Sequence, residues 1–142
     1  LGGYLYDEPT VLNVFFDRKG KKVSQTKTLA AVPGKKLGSK VPVYVLTSGR
    51  TFSCAEEFSY DLQTTKRGVI VGETTGGGAH PVMGRPLGDR FMIMVPFERA
   101  ENPITKKNWE GTGVEPDIRV PAAEALEAAC KDARRRLSER QP

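Results

Sequence analysis

The tract Thr47-Ser48-Gly49-Arg50-Thr51-Phe52-Ser53-Cys54-Ala55-Glu56 joins a short apolar run to a segment with helical spacing, and a serine stands at the junction. A serine that closes a strand and opens a helix can turn its Oγ toward a cleft. The free N–H of the next residue, Cys54, points the same way. With the positive end of the helix behind it, that N–H suits a developing oxyanion. This is the logic of a nucleophile elbow, although the GxSxG pattern is absent. A serine at this place also serves as an ordinary helix N-cap, and spacing alone leaves both readings open. The thiol of Cys54 would be activated at a helix N-terminus, but it points away from Ser53, and small buried packing is its expected role. His80 is the only histidine. It follows a glycine run at a loop edge and is an in-chain candidate for the base that a serine needs. Gly76-Gly77-Gly78 is followed by no Gly-Lys-Ser/Thr, which excludes a P-loop.

The elements around Ser53 must hold it at an edge. Val41 to Thr47 is a continuous apolar run that fits a buried strand, with Pro42 tolerable near its start. Ser53 to Gln63 reads as a helix, because Ala55, Phe58 and Leu62 recur at helical spacing while Glu56, Glu57 and Asp61 face outward. Val69 to Glu73 is another buried strand. Strand, helix, strand in this order predicts a parallel pair with a right-handed crossover. Upstream, Leu1 to Tyr6 reads as a helix end. Val11 to Asp17 and Lys22 to Thr28 form a hairpin, and Ala30 to Lys40 is a loop. Downstream, Thr74 to Ala79 is a loop. Arg90 to Pro96 is a strand with apolar residues on both faces, which predicts that both faces are covered. Glu98 to Trp109 is irregular, and Ile118 to Val120 is a short strand. Ala122 to Leu137 is a helix with Ala125, Leu126, Ala129, Ala133 and Leu137 as its apolar stripe. The fold class is α/β with a mixed sheet, a central helix after the nucleophile strand and a C-terminal helix.

The chain has 142 residues, 38% of them hydrophobic and 27% charged, with a net charge of +5. That composition is globular and excludes disorder. Positive charge gathers at Arg18, Lys19, Lys21 and Lys22 and again at Arg134, Arg135 and Arg136. Neither group is interleaved with aromatic residues, so both read as solvated faces and no nucleic-acid partner is expected. No apolar run reaches the ~20 residues of a membrane span. Cys54 and Cys130 form no CxxC pair, so no metal or redox site is indicated.

Three blocks of the chain resemble the tail-specific (C-terminal-processing) serine peptidase family. They are Ser48 to Phe58, Val71 to Pro81, and Asn102 to Asp117, the last holding Asn108-Trp109-Glu110-Gly111-Thr112-Gly113-Val114-Glu115-Pro116-Asp117. The ending Val120 to Leu126 extends the match. The branch most similar includes bacterial relatives of the interphotoreceptor retinoid-binding protein. The resemblance implies a crotonase-like (ClpP-like) α/β core, of which residues 1–142 would be the C-terminal portion of a single catalytic domain. It places Ser53 on the family's nucleophile. Many members pair that serine with a lysine in the glycine loop, but the matching position here is Gly78, which disfavours a Ser–Lys dyad. A second branch, similar to the tricorn protease core, uses a histidine from far upstream and a glutamate to orient it. Glu110 is the candidate for that glutamate, with Glu115 as the alternative. Gly76, Gly77, Gly78 and His80 then become substrate-binding loop residues near the cleft.

The expectation is a serine endopeptidase acting on peptide or protein substrates. Ser53 is the nucleophile, the Cys54 N–H part of the oxyanion hole, and Glu110 the orienting residue. No metal or organic cofactor is implied. The general base is expected from a missing N-terminal portion or a swapped partner chain, so the 142 residues alone should be inactive. By the same resemblance the compartment is periplasmic or secreted. The alternative on this fold is a non-catalytic carrier of hydrophobic ligands such as retinoids or fatty acids.

Overall fold

The computed structural model describes residues 1–139. A first short helix, α1 (Gly2–Leu5), leads into β1 (Val11–Phe16) and β2 (Lys22–Lys27). These two strands form the hairpin expected from the sequence, and Asp17 Oδ1 closes its tip by accepting from Lys19 N and Lys21 N. Then follow β3 (Tyr44–Thr47), α2 (Cys54–Thr64) and β4 (Val69–Gly72). β3 and β4 pair in parallel, with Tyr44 opposite Val69 and Thr47 opposite Gly72, so the strand–helix–strand unit is present. β8 (Ile118–Arg119) joins β4 on its other side, also in parallel. The chain between them holds a second hairpin, β5 (Val82–Leu87) with β6 (Phe91–Pro96), and β7 (Arg99–Glu101), which pairs antiparallel with β1. A 3-10 turn (Ala122–Glu124) precedes α3 (Ala125–Ser138).

Parallel and antiparallel pairing thus lie in three separate sheets, β2-β1-β7, β3-β4-β8 and β5-β6. Alternation along the parallel strands divides the core between two helices. Val43 and Val45 pack with Leu62 of α2 and with Leu5 and Tyr6. Tyr44, Val69 and Val71 pack with Ala125 and Ala129 of α3. Ile70 and Val71 are fully buried, which marks β4 as the central strand. A third cluster, Ala79, Trp109 and Val114 with Tyr60, lies under the glycine loop.

Several expectations are corrected. β3 is only half-buried and Leu46 is exposed, and β3 is an edge strand among the described residues. The α3 stripe holds at Ala125 and Ala129, while Leu126 and Leu137 face solvent. Glu56 and Asp61 do not face outward. Both are buried, since the inner face of α2 meets polar groups of the glycine loop and of β1. β6 is exposed on both faces, because among the described residues only β5 pairs with it and no element covers either face. β5 is not expected from the sequence, since Gly84 and Pro86 interrupt its strand pattern, and β7 lies within Glu98 to Trp109, where irregular structure is expected. Among the described residues, no helix is long and apolar enough to cross a membrane.

Candidate active site

β3 ends at Thr47, and a tight bend carries the chain to α2. Thr51 N donates to Ser48 O, and Ser48 N donates to Thr51 Oγ1. Glu73, just past β4, steadies the bend by accepting from Gly49 N, and its other oxygen accepts from Ala122 N. These two backbone donors hold its carboxyl below the usual range.

Ser53 caps α2 with φ 57° and ψ −122°. An ordinary N-cap lies in the extended region. A non-glycine residue held at this positive φ costs ~1–3 kcal/mol, and such strain gathers at functional sites. Capping alone does not demand it. The sharp turn puts Ser53, Cys54 and Ala55 at the surface. Cys54 N–H meets no acceptor among the described residues, so it is available to an incoming oxyanion. The Cys54 thiol is exposed, not packed as expected from the sequence, because the first turn of α2 stands proud of the core.

The glycine loop lies against this turn. Gly76 N donates to Thr51 O. Phe52 lays its ring so close to Gly78 that an added methyl would meet it at 2.2 Å, and Gly76 is nearly as tight. Beneath the loop is Glu56, whose side chain is expected from the sequence to face outward. Its Oε2 accepts from Ser53 N at 2.8 Å and from Gly78 N at 2.8 Å. Those two nitrogens are therefore at most about 5.6 Å apart, twice that length, which fixes the loop beside the serine. Its Oε1 accepts from Gly77 N at 2.6 Å and from Thr75 Oγ1, which in turn accepts from Val114 N. The available signal was the N3 position, three residues after Ser53, where a glutamate reaches back to the cap.

Glu110 holds the next stretch of the same loop. Its Oε2 accepts from Ala79 N at 2.7 Å and His80 N at 3.1 Å. The His80 ring stands beside it, Nδ1 3.8 Å from the same oxygen, and Nε2 faces Asn108 Nδ2 at 3.4 Å. Asn108 is itself anchored to Ala100 O. Trp109 Nε1 donates to Gly78 O and Gly111 N to Gly77 O, so the turn around Glu110 forms the loop's far wall. Ser53, Cys54, Gly76, Gly77, Gly78, His80 and Glu110 thus belong to one neighbourhood built on the loop. Glu115 lies elsewhere, 3.9 Å from Arg119 and exposed. The N–H groups of Gly76, Gly77 and Gly78 are all taken internally.

Ser53 thus stands at a strand-to-helix elbow with an unspent N–H beside it, backed by a glycine loop on an α/β core. The sequence profile of peptidase family S41 matches residues 1–120. The chain belongs to that family. Among solved structures, the photosystem II D1 C-terminal processing protease is similar at 24% identity and a TM-score of 0.66, over 92% of this chain and 33% of that one. A lipoprotein from Streptococcus agalactiae gives 16% and 0.70, over 94% and 47%. Mature CPAF gives 16% and 0.69, over 94% and 38%. These likenesses establish a shared fold, and the chain spans between a third and a half of each of those proteins.

Proposed function

We propose that this chain carries the nucleophile of a serine-type endopeptidase. Ser53 Oγ attacks the scissile carbonyl, and the Cys54 N–H receives the oxyanion. The strained backbone of Ser53 beside that free donor is the observation that carries the reading. Gly76 to Gly78 form the cleft wall, where close backbone approach serves an extended peptide better than side chains would. His80 lines its end, with both ring nitrogens directed to Glu110 and Asn108 and not to Ser53. Glu110 uses Oε2 on the loop, which leaves Oε1 to orient the base that takes the serine proton. That base comes from further polypeptide, an N-terminal portion or a partner chain, so the 142 residues alone turn over no peptide.

The test is fluorophosphonate labelling of the protein isolated from its native source, with peptide mapping. Label is expected on the tryptic peptide that begins at Thr51, and is expected to vanish in Ser53→Ala. A folded protein that takes no label at Ser53 overturns the reading, and the serine is then a helix cap on a non-catalytic domain.

A further inference from the structure

Glu56 is fully buried, yet both its oxygens are saturated. Four donors reach it, and three of them belong to a loop 19 to 22 residues further along the chain. A glutamate at this helical position ordinarily reaches only the cap N–H. A carboxylate withdrawn from water is tolerated when its lone pairs are filled, and a fully satisfied polar network is rigid. We propose that Glu56 is the positioning residue that locks the nucleophile turn to the cleft wall, so that Ser53 and Gly77–Gly78 move as one body.

The chemistry requires glutamate in particular. Glutamine would set an NH2 group against backbone N–H donors, because each oxygen position receives at least one of them. Aspartate keeps the charge but is one methylene short of the loop. The loop's composition fits the same purpose. Gly77 has φ +89°, and a methyl there would press on the backbone of Gly111 and Gly113. At Gly77 a bare backbone is what lets that amide come down onto the carboxylate.

The proposal rests on Ser53 as the nucleophile for its consequence, but the clamp is measurable without it. Amide hydrogen exchange of the protein isolated from its native source is compared for wild type, Glu56→Gln and Glu56→Asp. In Glu56→Gln, exchange at Ser53, Gly77 and Gly78 is expected to quicken together by about tenfold or more, while Ala79 and His80, held by Glu110, change little. Glu56→Asp is expected to fall between, and it serves as the test if Glu56→Gln does not fold. In parallel, the rate of fluorophosphonate labelling at Ser53 in the native-source protein is expected to drop by about tenfold or more in Glu56→Gln, with partial recovery in Glu56→Asp. Unchanged protection at Gly77 and Gly78 overturns the clamp. Lost protection with an unchanged labelling rate overturns the positioning role. A wild type that takes no label defeats the nucleophile reading instead, and the exchange pattern then decides the clamp alone.

Discussion

Asp61 is the residue whose chemistry departs furthest from its place in the sequence. It lies on the inner face of α2 with its carboxyl pushed up to about 7, chiefly by burial, then by the charge of Glu57, with an opposing pull from Asn102. Asp61 Oδ1 and Asn13 Oδ1 are buried without hydrogen-bond partners among the described residues, as suits a site that keeps its proton. In the unfolded chain the same carboxyl ionises near 3.8. The folded state therefore holds this proton the more tightly, and stability is lost as pH rises from about 4 through about 7. Asp61→Asn removes the titration and keeps the shape. Its thermal midpoint should equal or trail that of wild type near pH 4 and exceed it at pH 8, by a difference worth on the order of 2–4 kcal/mol. Melting curves across that range decide it, and a difference that does not grow with pH shows that Asp61 ionises normally.

At the scale of elements, the β3–α2–β4 unit was legible because its strands are continuous apolar runs and its helix keeps apolar spacing at Ala55, Phe58 and Leu62. Ser53 was legible for the same reason, since the two periods meet there. Glu56 was not, because a charged side chain on a helix reads as solvent-facing until the backbone amides that will surround it are known. Those amides come from a loop whose path no local pattern specifies. Glycines show the same limit, since their spacing does not say which are structural. At Gly72, in β4, φ is +132° and a methyl would lie 2.1 Å from Thr47 O, the residue it pairs with across β3. Backbone cannot yield there without breaking the parallel register. At Gly78 the obstacle is only the Phe52 ring, which is exposed and can swing away. Urea unfolding should accordingly show Gly72→Ala costing about 3 kcal/mol or more and Gly78→Ala about 1 kcal/mol or less. A reversed order would mean that the ring, and not the strand pairing, is the rigid partner.

For the whole molecule, the distribution of apolar surface matters more than its amount. The parallel sheet is covered by α2 and α3, yet β5 and β6 project with Leu87, Phe91, Met92, Ile93 and Met94 each at least half exposed. Alternating apolar residues on both faces of β6 ordinarily denote a strand enclosed between layers, and an exposed patch of this kind marks a contact surface. A two-stranded ribbon has little stability of its own, so in this chain it depends on its cross-strand pairs and adds little to the core. Phe91 and Met92 point to opposite faces of β6. Phe91→Lys and Met92→Lys should each lower the fluorescence of a bound hydrophobic dye while shifting the unfolding free energy by about 0.5 kcal/mol or less, as exposed substitutions do. Were either face packed within the chain, burying a lysine there would cost several times that amount, about 2 kcal/mol or more. A large loss for one variant alone would identify the packed face, and a large loss for both would restore the enclosed strand that the sequence pattern suggests.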